Sequence, residues 1–475
     1  MPRCAALPKG PPMRVDRLDR AVAAAIAVTL VLAVFVLLRG DQVGVRIAQT
    51  QPADGAGDVG LRPVIGLTFS EQMRQTALEG RLSFSPPVTG TLRWSGNAAL
   101  FTPAAPLAAD TAYTLTIRAG AESARGRLTR DDVVVRFATH RPRLVYLAPA
   151  TGISDLVIAD VGGSGQERKL TSEPFGVYDF AVSPDGRRIA FSANRDGGGS
   201  RDLYLVGVDG NDRKRIVSCD QQHCQSPSWS ADGSRIVFER RNLEKGAIGV
   251  IPGASRPYIY DINIGQASSL FTDTQYVASA PRWSTAGETL TYYDTIQSIL
   301  TVFDLSAGTT VEVPSVLGDA PAWAPDGGSF LLSDLVSGNE GRLQQLLRFD
   351  YATVTLSPVM PLTNTNDYGA AWSPAGDEIV FGRQSAESFS ASSGVAFYGP
   401  QVWVTGADGL NPRALTTDTE YSHAGMTWSP DGRWISLVRT NLRTINPIPE
   451  VWLIRPDGGA ARSVARDATL PAWVP

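Results

Sequence analysis

The sequence predicts an all-β protein: a seven-bladed β-propeller, preceded by an Ig-like β-sandwich and one N-terminal transmembrane helix. Three observations carry this. A Trp-Ser-Pro-Asp-Gly unit recurs through the C-terminal two thirds of the chain. Residues 45–139 alternate apolar and polar residues between turn signals. Residues 21–38 are an uninterrupted apolar run.

From the N-terminus, residues 1–20 carry Arg3, Lys9, Arg14, Arg17 and Arg20 ahead of the apolar run. At ~1.5 Å rise per residue, a helix over 21–38 would reach about 27 Å, the thickness of a bilayer core. The basic bias places residues 1–20 in the cytoplasm and the bulk of the chain outside, in the cell envelope. Leu37-Leu38-Arg39-Gly40 offers no small-residue cleavage site, so the segment reads as an uncleaved signal anchor.

Residues 45–139 hold about seven short runs of strand character, among them Val64–Phe69, Thr91–Trp94, Tyr113–Ile117 and Val133–Phe137. That number in so short a segment predicts an Ig-like sandwich. The pieces Pro52-Ala53-Asp54-Gly55, Phe69-Ser70-Glu71-Gln72-Met73 and Trp94-Ser95-Gly96-Asn97 resemble the SbsA-type bacterial Ig-like domain, which implies a spacer. Tyr113 opens a strand just after Ala108-Ala109-Asp110-Thr111, the place of a tyrosine corner.

Residues 143–475 carry the repeat. Its Val/Trp position falls at residues 182, 229, 283, 323, 372, 428 and 473, a spacing that signals a propeller or solenoid. In Trp428-Ser429-Pro430-Asp431-Gly432, Pro presets φ and Gly takes the left-handed position of a tight hairpin. A third and a fourth strand follow, as in Asp202–Val208 with Arg215–Val217. Four strands per repeat make a propeller blade. These motifs resemble the TolB-like propeller repeat, a relative of the WD-repeat blade. The first blade lacks an inner strand, and Leu470–Val474 lack a hairpin partner. The two ends are therefore expected to complete one blade, which removes an open edge. Six blades with one degenerate repeat is the alternative count.

Turns within the hairpins are tight. Asn242–Ser255, Gln384–Gly399 and Thr440–Pro449 read as long loops on the opposite face. Long loops on a rigid scaffold are where binding resides, and Tyr178, Tyr276, Tyr368, Tyr421 and His423 are the candidate binding residues there. Packing between blades is the competing role for the same side chains. Cys219 and Cys224 are read as a disulfide in an inter-blade loop. With three His and three Cys in the chain, no metal site, cofactor or catalytic residue is assigned. No Gly-x-Ser-x-Gly elbow occurs.

The chain is 19% charged with a net charge of −4, so nucleic acid is not an expected partner. The expected function is a non-enzymatic, membrane-anchored platform for another envelope or extracellular protein, with a glycan as a further ligand class. Two alternatives remain: a hydrolase or lyase at the propeller mouth, and a structural envelope or surface-layer component.

Overall fold

The computed structural model describes residues 26, 28–31, 44–161, 166–246, 249–273, 275–338, 341–386 and 399–475. The expected membrane helix over 21–38 lies almost wholly outside these residues. Within them Ile26 and 28–31 are helical, and no helix is long and apolar enough to cross a membrane. The expected single-pass, N-terminus-in topology is corrected accordingly.

The N-terminal domain is a two-layer sandwich with eight strands, one more than read from the sequence. One sheet runs in the order Ile47–Gln51, Ile65–Phe69, Ala98–Pro103, Gly90–Ser95. The other runs Ala56–Val59, Val133–Thr139, Ala112–Ile117, Leu82–Ser85. The additional strand, Ala56–Val59, pairs in parallel with Val133–Thr139. It reads Ala-Gly-Asp-Val, too poor in β-branched and aromatic residues to signal a strand by itself. Inward residues such as Ile65, Leu67, Phe69, Leu115, Ile117 and Phe137 alternate with outward ones and form one core. The tyrosine corner is present: Tyr113 is buried, and its hydroxyl accepts the Ala108 N–H at 2.9 Å. Tyr113→Phe leaves that N–H unpaired. It should cost about 1–2 kcal/mol in denaturant unfolding, and an unchanged midpoint would remove the corner's structural role.

Five antiparallel four-stranded sheets and one eight-stranded sheet follow among the described residues, the eight-stranded one joining two quartets through a single parallel bridge, Arg201 with His223. The first strands of the quartets are Val177–Val182, Gln222–Trp229, Ala278–Trp283, Ala322–Trp323, Thr365–Trp372, Tyr421–Trp428 and the tail strand Thr469–Val474. The tail strand completes the unit of Arg143–Ala148, Asp155–Asp160 and Glu167–Lys169. Its register sets Ala472 opposite Val145 and Trp473 opposite Leu144, the joining of chain ends expected from the sequence. It also packs against both Tyr421–Trp428 and Val177–Val182, so the ring closes through it.

The Ser-Pro-Asp-Gly turn explains its own composition. Ser429 Oγ donates to Asp431 Oδ1 at 2.6 Å and accepts the Trp434 N–H at 2.9 Å. The same pair of bonds recurs at Ser183 and Ser230. Gly432 sits at φ +70°, a conformation that a Cβ would strain. The repeated Trp ties one unit to the one before. The indole N–H of Trp229, Trp372, Trp428 and Trp473 donates to the carbonyl of Ala181, Ala322, Ala371 and Thr427 respectively.

One expected loop is not a loop. Residues 242–255 lengthen two paired strands, Arg235–Gly246 and Gly249–Asp261, into a long hairpin. Its length between the second and third strands suggested a loop, but extending an existing ladder adds hydrogen bonds without a new closure cost. Most of 384–399 lies outside the described residues. Residues 442–449 do form an irregular connection.

The sandwich docks on the tight-turn face of the ring. Arg62 Nη2 donates to the Pro374 carbonyl at 2.9 Å. Arg143 pairs with Asp58 at 3.3 Å, and His140 Nε2 lies 3.1 Å from the Pro475 carbonyl oxygen.

Candidate functional site

The inner strands begin on the face opposite the tight turns, and their first residues build a rim there. Five of them share a bulge at the same place, the tail strand at Thr469/Ala472 with Leu470 at φ 51°. In the other four, register shifts fall at Gln225/Ser228, Ser279/Arg282, Tyr368/Ala371 and Ala424/Thr427, with Ser226, Ala280, Gly369 and Gly425 at φ of 50–62°. A bulge leaves a backbone N–H without its ladder partner. At the first two, a buried carboxylate from the preceding unit supplies one. Asp179 Oδ2 accepts the Ser226 N–H at 2.6 Å, and Glu239 Oε1 accepts the Ala280 N–H at 2.7 Å. Asp179 also takes a short bond from Ser192 Oγ. Burial pushes the Asp179 carboxyl above its ordinary range, and these donors oppose that rise.

Around these acids runs a continuous polar network. The Arg201 guanidinium lies 3.4 Å from the Tyr178 ring centroid. It donates to Asn194 Oδ1 at 3.0 Å and to Gln225 Oε1 at 2.7 Å. Gln225 Nε2 donates to Glu239 Oε2 at 3.3 Å, and Arg241 approaches the same oxygen at 3.3 Å. Burial lowers the Arg201 pKa. Tyr178 is about half exposed, so its ring presents a polarised apolar face to solvent. Phe175 and Ile153 are exposed nearby in sequence and fold.

A second part of the rim lies two units on. Asp367 and Arg383 form a two-pronged ion pair at 2.7 and 2.8 Å. The Tyr368 hydroxyl donates to Gln384 Oε1 at 3.2 Å; burial first, and then Asp367, pushes its pKa up to about 12. The Arg439 guanidinium sits 3.5 Å from the Tyr421 ring centroid and 4.4 Å from that of Trp452, paired with Asp418 at 3.2 Å. His423 is buried, and its Nδ1 lies 2.9 Å from the Pro400 carbonyl. Desolvation holds its pKa below the ordinary value. It positions the loop at Pro400 and does not face solvent.

Tyr276 is partly buried. It packs against Phe271 at 4.4 Å and Tyr292 at 6.1 Å between ring centroids. Cys219 and Cys224 are disulfide-bonded and fully buried. Sequence reasoning named the rim tyrosines and missed their arginines. A signal was present: Arg383 and Arg439 each stand two residues after the apolar runs Ile379–Phe381 and Ile435–Leu437, at the end where a second strand meets the rim.

At the opposite face, the ring surrounds a cavity of about 530 Å³. The indoles of Trp229, Trp283, Trp323, Trp372 and Trp428 wall it, and Arg282 and the sandwich's Arg62 face into it. The sequence reading assigned no ligand surface to this face.

Residues 41–139 match the bacterial Ig-like domain, and residues 105–244 match the dipeptidyl peptidase IV N-terminal region. A curated relative, dipeptidyl-peptidase 5 of Porphyromonas gingivalis, is 28% identical over 104 residues, which are 20% of this chain and 15% of that protein. Among solved structures, TolB of Acinetobacter baumannii aligns with a TM-score of 0.42 at 16% identity, over 83% of each chain. A puromycin hydrolase variant aligns with a TM-score of 0.50 at 17% identity, over 70% of this chain and 54% of its own. The chain combines an N-terminal domain similar to the bacterial Ig-like domain with a β-propeller fold.

One expectation is overturned here. The sequence reading took the chain as non-enzymatic, whereas residues 105–244 are similar to the dipeptidyl peptidase IV N-terminal region and 104 residues are similar to dipeptidyl-peptidase 5. The search for a nucleophile motif could not see this, because the matched region is one of strands and turns. The chain spans about 15% of the length of that curated relative.

Proposed function

We propose that this protein is a peptidase-related hydrolase whose propeller holds peptide substrate on the rim around Tyr178 and Arg201. One observation carries the reading. The region similar to the dipeptidyl peptidase IV N-terminal region, residues 105–244, includes Tyr178, Asp179, Arg201, Gln225 and Glu239, which form the polar network of that rim. An exposed aromatic face backed by a buried guanidinium suits an extended peptide. The ring takes apolar side chains, and the surrounding amide and carboxylate groups take backbone donors. Tyr421 under Arg439 repeats the arrangement further round the rim and extends the same surface. We also read the seven strand quartets as seven blades, closed through Thr469–Val474.

The test uses the full chain with fluorogenic dipeptide substrates and internally quenched peptides, and titrates the same peptides by calorimetry. Cleavage, or binding that Tyr178→Ala weakens by roughly thirtyfold, is expected for a central aromatic anchor. A chain that neither cleaves nor binds any of the peptides would reject the proposal.

A further inference from the structure

The cavity at the tight-turn mouth has a composition that structure alone does not require. Arg62 uses one donor on the Pro374 carbonyl. Among the described residues, the Arg282 guanidinium has neither a hydrogen-bond nor an ion-pair partner. Asp179 and Glu239 attract it only from a distance, and their own oxygens are engaged by Ser192, Ser226, Gln225, Ser255 and Ala280. Arg282 reaches solvent through the cavity, yet the protein around it is dense enough that desolvation lowers its pKa. The same holds for Arg62. Both side chains keep exposed surface, and water or an anion entering the cavity would compensate their charge.

The walls narrow what that compensation would be. A guanidinium fork matches a planar carboxylate in two-pronged fashion. Indole faces and edges match an apolar group attached to it. A free phosphate would use the forks and leave the indoles idle. We propose that this cavity binds a carboxylate carried on an apolar body, held by Arg282 and Arg62 with the apolar part against the Trp walls. The C-terminus of an apolar peptide and a free aryl-alkyl acid share this chemistry. The inference stands apart from the peptidase reading, since it concerns the opposite face and its test needs no turnover.

Calorimetry on the full chain compares N-acetyl-Phe-Leu, its C-terminal amide, 3-phenylpropionate and inorganic phosphate. The acid should bind at least tenfold more tightly than the amide. Arg282→Gln should remove that preference without lowering the melting temperature, because the side chain has no protein partner to lose. Arg62→Gln also loses the bond to Pro374, so Arg282→Gln is the deciding variant. Weaker binding of 3-phenylpropionate than of the peptide acid supports a peptide C-terminus, and equal binding supports the free acid. Acid and amide binding alike, phosphate binding more tightly than either carboxylate, no binding at all, or an unchanged affinity in Arg282→Gln would each overturn the proposal.

Discussion

Removal of Pro471–Pro475 should abolish cooperative folding of the propeller. Trp473 is 7% exposed. It packs with Leu144, Tyr146, Val451 and Leu453, and its indole N–H donates to the Thr427 carbonyl at 3.2 Å. Truncating a buried Trp to Ala costs about 3–5 kcal/mol. Deletion additionally exposes the edge of Arg143–Ala148 and leaves its ladder groups unpaired. Against a total of about 5–15 kcal/mol for an ordinary domain, those losses together are decisive. Trp473→Ala alone should lower the melting temperature by roughly 10 °C, and the deletion should yield a chain that trypsin digests within the propeller. A truncated chain that melts within a few degrees of the full one would show that the ring closes without this strand.

Asp367→Ala and Arg383→Ala should each destabilise the protein by about 3–5 kcal/mol, because either leaves a buried charge without its partner. The pair is enclosed, with side-chain exposures of 7% and 12%. The arginine also lies 5.1 Å from the ring centroids of both Phe381 and Trp403. Replacing both members, as Asp367→Leu with Arg383→Met, should recover much of the loss, since an apolar pair of similar size avoids the desolvation cost. Urea unfolding of the two single variants and the double variant forms a thermodynamic cycle. Single losses below about 1 kcal/mol, the range of exposed pairs, would mean that water reaches the pair and the rim is open there.

Much of the rim was legible in the chain as residue types and not as partners. Tyr178, Tyr368 and Tyr421 were named as aromatics of inter-blade connections gathered on the long-loop face. That Arg201 lies against one ring and Arg439 against another depends on second and third strands meeting that strand edge. Tyr276 looked equivalent by position, and it packs against the neighbouring Phe271 and Tyr292 in place of an arginine. His423 looked like a loop histidine, and it proved to be buried against Pro400. The relation to peptidases lay outside any local motif, because it is spread over strands and turns.

By itself, the sequence determined the local chemistry: the Ser-Pro-Asp-Gly turns, the strand alternation, the Val or Trp near the end of each inner strand, and the need for the two chain ends to meet. Each of these is written in a few neighbouring residues, through φ preference, period-two burial and edge pairing. Only the tertiary structure decided which groups converge. The carboxylates that satisfy the bulges at Ser226 and Ala280 come from strands some 40 residues or more away, and Arg62 enters the propeller mouth from another domain. A pattern read along the chain carries no distance across it. Convergence of charge therefore appears only once the sheets are stacked into a ring.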